Sequence, residues 1–350
     1  MQSKESIISE LKKTFKPIEP NKKFTVQPFQ PEDALGVIKC CYAIYGEAYP
    51  IDTYYIPEKL IEENKNGNIY SIVAKTNDGE IIGHGALYRS SPPFKDLYEA
   101  GQYIILPQYR GSRAAFQINN MIATYAKEIG ISGLYAEAVT NHLITQKFAN
   151  RTGAIDTAIE IDLMPAEAYE SDDSVTGRVS TVLQFIIFND KPHNIFLPEI
   201  YLNKVEEFTK TLKLDRKINT TKKGSGNKNN SETSAQYFDF AGVGRLQVSE
   251  IGNDFEIVFN NFEKEIEKRK YNIAQIFVTV TQENCEDIFK LLNLSGYFFA
   301  GYLPRWMDTD AILLQKVIHT PTFEGINLYT EDSKKLFEFI KNDWKRLTKD

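Results

Sequence analysis

The sequence predicts an α/β protein of the α+β kind, a mixed central sheet flanked by helices, with the arrangement built twice. Three observations predict it. Runs with strand and helix periodicity alternate along nearly all of the 350 residues, as layered sheet-and-helix folds require. One junction, Gly101 to Gly130, carries an apolar strand-like run into a polar turn and then into a helix. The second half then repeats the helix, strand, helix, strand order that follows this junction.

Composition narrows the class. At 350 residues, two domains are the prior, and 42% hydrophobic residues are ample for two cores. A net charge of −6, with acids and bases well mixed, argues against a general nucleic-acid binder, which normally carries a basic face. Cys40, Cys41 and Cys285 make no disulfide framework, which fits a reducing cytoplasm. The adjacent pair inside an apolar pattern reads as buried packing. No two histidines or cysteines have metal-ligand spacing, so no metal is expected. The first residues lack a signal-peptide pattern, and no run approaches the about 20 apolar residues of a membrane span.

In order, residues 1–23 form an extension whose Ile7, Ile8, Leu11 and Phe15 predict a short amphipathic helix. Phe24 to Phe29 alternates as a strand, and Pro31 opens a helix through Ile44. A loop rich in tyrosine follows, with Tyr45, Tyr49, Tyr54 and Tyr55. Two strands, Ile69 to Ala74 and Ile81 to Tyr88, flank the Asp78-Gly79 hairpin signal. Leu97 to Leu106 is the strand that enters the junction, and Ala114, Ile118, Met121, Ile122, Tyr125 and Ile129 mark the helix beyond it. Leu134 to Val139 is a strand, Leu143 to Asn150 a helix and Ala158 to Leu163 a closing strand.

The junction matters because a strand turning through small and basic residues into a helix presents unpaired N–H groups and a positive dipole end. That is a ready anion site. The element order, with Pro107-Gln108-Tyr109-Arg110-Gly111-Ser112-Arg113-Ala114-Ala115 at the turn, resembles the GNAT acyltransferase superfamily over about residues 24–165. Ile81 to Ala86 resembles its third strand, and Asn141 to Gly153 its last helix. The resemblance implies acetyl-CoA as cofactor, held at Leu106, Gln108, Tyr109, Arg110, Gly111, Ser112, Arg113, Ala114 and Ala115, with Asn141 on the coenzyme arm or capping the helix. One small position of the family's turn is Arg113 here. Its side chain either crowds the backbone's approach to pyrophosphate or adds charge to the phosphates.

Acylation of an amine by an acyl-CoA needs a base, a donor for the developing oxyanion and an acid for the leaving thiolate. Glu99 is the expected base, its alternative being an ordinary strand-end carboxylate. The tyrosine that relatives carry in the helix after the fifth strand is replaced by Phe148, which leaves Tyr109 or the tyrosine loop as donors. His142, at the start of that helix, is a further acid–base candidate. His84, between two glycines, joins Tyr45, Tyr49, Tyr54 and Tyr55 as a candidate for the acceptor site. The acceptor is expected to be a small-molecule amine or a peptide, with neither nucleic acid nor membrane as partner. The departures at Arg113 and Phe148 also fit a module that kept the fold and lost the activity.

In the second half, residues 166–350, the polar stretch 219–235 reads as a disordered insertion. Strand-like Val179 to Phe188 and a helix from Asn194 to Leu212 precede it. Beyond it the strands and helices read as a degenerate second copy. Its equivalent turn, Ser249 to Asp254, is acidic and hostile to phosphate. Leu303-Pro304-Arg305-Trp306 is expected to line a surface between domains.

Overall fold

The computed structural model describes residues 3–47, 49, 51–166 and 177–348. The chain divides into two compact units, Met1–Ser91 with Lys95–Leu134, and Pro92–Phe94 with Tyr135–Asp350.

The first unit opens with helix α1 (Lys4–Thr14), capped by the Ser3 hydroxyl and burying Ile7, Ile8 and Leu11 as its spacing dictates. Strand β1 (Phe24–Pro28), a 3-10 turn at Pro31–Asp33 and helix α2 (Ala34–Tyr45) follow. Then come α3 (Pro57–Lys65), β2 (Ile69–Thr76), β3 (Ile81–Tyr88), β4 (Leu97–Ile105) and α4 (Ala114–Glu128). Strands β1 to β4 pair antiparallel in chain order. The ladder between β3 and β4 slips opposite Gly101 to Ile104, and Gln102 there takes φ +58°. That is a bulge, and it bends the strand just before the turn.

Two glycines set how closely α4 lies on β3. A Cβ at Gly85 would meet Ile118 of α4 at 2.6 Å, and one at Gly83 would meet the same side chain at 3.2 Å. Because side chains alternate along a strand, His84 between them points to the opposite face. The expected burial of the cysteine pair is present: Cys40 and Cys41 are free thiols inside the unit, and Cys40 Sγ donates to the Ile81 carbonyl at 2.9 Å.

The second unit holds most of β5 (Gly133–Val139), then α5 (Ile144–Arg151), β6 (Ile155–Pro165), β7 (Arg178–Ile187) and β8 (His193–Leu197). After them run α6 (Glu199–Thr211), β9 (Arg216–Thr220), β10 (Glu232–Phe238), β11 (Val243–Glu250), α7 (Phe255–Arg269) and β12 (Ile273–Thr279). The end is α8 (Glu286–Leu294), β13 (Phe298–Leu303), β14 (Ala311–Val317) and α9 (Glu331–Thr348). Spatial order in this unit's sheet is β5-β7-β6-β13-β14-β12-β11-β10, while β8 and β9 pair parallel apart from it. None of the described helices is long and apolar enough to cross a membrane.

Several expectations need correction. Strands β6 and β7, on either side of residue 165, pair along most of their length within the second unit. Strand β8 takes His193–Leu197, where the spacing predicts the start of a helix, and β9 is a strand that the periodicity does not predict. The stretch 219–235 is not structureless. It contains the end of β9 and the start of β10, and its loop donates Lys222 N–H to the Glu283 carbonyl and Gly226 N–H to the Asn284 carbonyl. Trp306 belongs to the second unit's interior: it is 1% exposed, stacks on Phe277 and donates to Gln247 at 3.0 Å.

Strands β6 and β13 meet at the centre of the second unit, where Gly301 faces Ala158. A Cβ on Gly301 would stand 2.1 Å from the Ala158 Cβ, so only glycine fits. The Gln315 side chain completes the seam, accepting from Ile161 N–H at 2.9 Å and donating to the Ile161 carbonyl at 2.6 Å.

Candidate active site

The turn after β4 begins as a 3-10 turn, Pro107–Tyr109, before α4 starts at Ala114. Arg110, Gly111, Ser112 and Arg113 are exposed, and a Cβ on Gly111 would meet nothing within 4 Å. The Ser112 hydroxyl accepts the Ala114 N–H at 3.1 Å, while Arg113 makes no side-chain cap. The next N–H groups of α4, Ala115 and Phe116, have no partner inside the helix by construction. Two exposed arginines thus stand at a helix N-terminus, the kinds of donor a pyrophosphate needs. The residues present fit coenzyme A.

Not every residue expected to hold the coenzyme serves that spot. Tyr109 is buried, and its hydroxyl donates to the Glu19 carbonyl at 2.7 Å and accepts the Lys22 N–H at 3.2 Å. Gln108 donates to the Ile18 carbonyl at 2.8 Å. Both side chains tie down the segment after α1, so Tyr109 is no proton donor for a substrate. With Phe15, Leu35 and Ile81, the residues Leu106 and Gln108 line a cavity of 600 Å³ on that side of the turn.

Glu99 lies half-buried on β4 and receives the Tyr88 hydroxyl from β3, its register partner. Gly101 makes room for this contact, since a Cβ there would stand 2.9 Å from the Tyr88 hydroxyl. Around it gather the loop tyrosines. Tyr45 and Tyr49 rings are 4.8 Å apart, Tyr49 and Tyr54 5.8 Å, and Tyr54 and His84 5.5 Å. The Tyr49 hydroxyl donates to the Gln102 side chain at the bulge. Burial pushes the Tyr49 and Tyr54 hydroxyls well above the ordinary tyrosine range, and the Glu99 charge adds to both. Arg110 pulls on Tyr45 in the opposite sense, so the turn and the tyrosines share one electrostatic neighbourhood.

His84 has a different task from the one its sequence position implies. Its Nδ1 lies 3.2 Å from the Gln102 carbonyl and its Nε2 3.0 Å from the Ser71 hydroxyl. A carbonyl only accepts, so Nδ1 carries the proton and Nε2 receives the Ser71 hydroxyl. Complete burial pushes the imidazole down to about 4, so it stays neutral at physiological pH. Asn64 anchors Ser71 in turn, accepting its N–H at 2.8 Å. The chain Asn64, Ser71, His84, Gln102 therefore props the bulge from behind, and both ring nitrogens are taken. Tyr55 is likewise structural: it is fully buried, donates to the Gly46 carbonyl at 2.7 Å and accepts the Tyr49 N–H at 3.2 Å.

The structure brings Glu99, Tyr45, Tyr49, Tyr54 and the Arg110 turn together in the first unit. Asn141 and His142 fall in the second. There the His142 Nδ1 accepts the Ile144 N–H at 3.3 Å, a local cap for α5, and the Asn141 carbonyl accepts from the Asn327 side chain at 3.4 Å. Sequence reasoning missed Gln102, Tyr88 and Ser71. The glycine beside Gln102 was the available signal, because glycine inside a strand marks a bulge or a close approach.

The model of the acetyltransferase (GNAT) family matches residues 38–154. That stretch, from α2 to the turn before β6, is a GNAT acetyltransferase domain. Among curated proteins none matches the chain. Similar solved structures include a GNAT-family acetyltransferase from Streptococcus pneumoniae, at 11% identity, 47% of this chain, 100% of that one and TM-score 0.39. The ribosomal-protein-S5-alanine acetyltransferase of Vibrio fischeri gives 17%, 51%, 98% and 0.37. The spermidine/spermine N-acetyltransferase of Vibrio cholerae gives 14%, 47%, 95% and 0.37.

Proposed function

We propose that the protein is an acyl-CoA-dependent N-acyltransferase, with acetyl-CoA as donor and an amine as acceptor, and that the second half is a duplicated copy without a coenzyme site. The observation that carries the reading is the exposed Arg110–Arg113 turn at the head of α4, beside a strand bearing Glu99 and a bulge. Arg110, Arg113 and the first N–H groups of α4 hold the phosphates. Bound there, the coenzyme supplies an acyl group activated as a thioester. Glu99 orients the acceptor's ammonium and takes the proton that must leave before its nitrogen can attack. The bulge at Gln102, held by His84, keeps its strand edge in place while this happens, and Tyr45 and Tyr49 wall the acceptor. Three free, buried cysteines accord with a reducing cytoplasm as its place of work.

Support for duplication comes from strand order. The chain runs β5, α5, β6, β7 and places the strands β5-β7-β6; it then runs β12, α8, β13, β14 and places them β12-β14-β13. A helix precedes each set, α4 and α7.

Isothermal titration with acetyl-CoA tests the function. The native chain binds, and Arg110→Ala binds at least tenfold more weakly while unfolding at the same temperature. Absence of binding at millimolar ligand refutes the reading.

A further inference from the structure

We infer that the Tyr54 hydroxyl is a ligand-binding group, the point inside the tyrosine cluster that holds a primary alkylammonium. The inference rests on the amine-acylation reading and deepens it.

Tyr54 is 1% exposed, and its hydroxyl is buried without a hydrogen-bond partner. Leaving such a group unpaired destabilises the fold, a cost phenylalanine in the same space would avoid. Three nearby tyrosine hydroxyls are already in use. Tyr49 donates to Gln102, Tyr55 to the Gly46 carbonyl and Tyr88 to Glu99. His84, the ring against which Tyr54 packs, has both nitrogens engaged by Gln102 and Ser71. Nothing in the fold explains the retained oxygen, so a ligand is its natural partner.

The surroundings select the ligand's charge. The Glu99 carboxylate acts on Tyr54 and Tyr49 alike, and the Tyr45, Tyr49 and Tyr54 rings pack against one another. Negative charge and aromatic faces together favour a cation. An alkylammonium brings three N–H donors. Glu99 accepts one, the Tyr54 oxygen accepts another, and the ring faces cover the alkyl arm.

The test reads binding rather than turnover, on the full chain, with n-butylammonium and n-butanol as probes and coenzyme A titrated separately. Tyr54→Phe should lose about tenfold in n-butylammonium affinity, the loss of one hydrogen bond to a charged group. It should keep its coenzyme A affinity and unfold at the same temperature or slightly higher. A melting temperature lowered by several degrees with unchanged amine affinity would mean that the hydroxyl serves the fold, and would overturn the inference. So would unchanged affinity and unchanged stability, equal binding of the alcohol and the ammonium, or no amine binding by the native chain at millimolar probe. Amine binding through Tyr54 without any coenzyme A binding would sink the acylation reading and leave this site standing. Coenzyme A binding with amine affinity indifferent to Tyr54→Phe would do the reverse.

Discussion

The chain passes from strand to helix in the same way twice, from β4 into α4 and from β11 into α7. The first junction leaves its donors exposed around Gly111. The second spends them on its own chain. Asn253 N–H donates to the Asn229 carbonyl at 3.0 Å, and Gly252 N–H donates to the Ser231 hydroxyl at 2.9 Å. Asp254 accepts the Ser231 N–H at 2.6 Å, and Asn227 N–H donates to the Ile251 carbonyl at 2.8 Å. The same loop reaches α8, where Asp287 N–H donates to the Gly224 carbonyl at 3.1 Å. Peptide oxygens thus lie where an anion would lie. A helix N-terminus must satisfy its N–H groups somehow; the second junction has the chain's own loop beside it, and the first stands open to solvent.

The sharpest way to break this comparison is to add one methyl group to each junction. A Cβ on Gly252 would stand 2.2 Å from the Asn229 carbonyl oxygen, so Gly252→Ala should lose about 3 kcal/mol in urea denaturation. Gly111→Ala should stay within about 0.5 kcal/mol. The reverse ranking would mean that the loop does not sit on the second junction.

Charge changes come next. Arg110→Ala should weaken coenzyme A by about 2 kcal/mol in titration calorimetry and leave stability alone. Asp254→Ala should lower the unfolding temperature and leave coenzyme affinity alone. The stoichiometry should be one coenzyme per chain, and two would assign a site to the β11–α7 junction as well.

Acid should separate the junctions as well. The Ser231 N–H holds the Asp254 carboxyl below its ordinary range. A depressed folded value means that its contribution is present above the unfolded value and is lost as pH falls through the folded one. Amide exchange at Ser231 should therefore quicken as pH drops below the usual carboxylate range, relative to its intrinsic rate. Pro107 to Ala115 contains no carboxylate, and exchange at Gly111 should show no such step. The smallest effect is expected from Arg113→Gly, which should weaken coenzyme affinity by no more than about threefold, the lost charge being offset by a closer approach of the backbone.

Much of this was legible in the sequence. Periodicity located α4, α7 and the strands around them, because apolar spacing reports which face is buried. The polar loop 221–231 was misread for a physical reason. Its composition offers no apolar surface, yet it is placed by backbone hydrogen bonds, which composition does not encode. His84 was legible as unusual, since two glycines flank it, but its role depends on Ser71 and Gln102, which are distant in sequence. Tyr109 and Tyr55 had plausible catalytic chemistry and turn out to spend their hydroxyls on backbone carbonyls. Whether a hydroxyl is spent or spare is a property of three-dimensional packing alone.

The seam at Gly301 and Ala158 has a consequence for anyone dissecting the protein. Strands β6 and β13 are each other's neighbours at the middle of one sheet. A chain cut near residue 190 would end with β6 showing a bare edge of unpaired amides and carbonyls, and the remaining piece would show the matching edge of β13. Bare edges of that kind recruit other strands and precipitate. The strands on either side of this seam therefore have to be kept together, and their separate contributions resolved by point substitution in the whole chain.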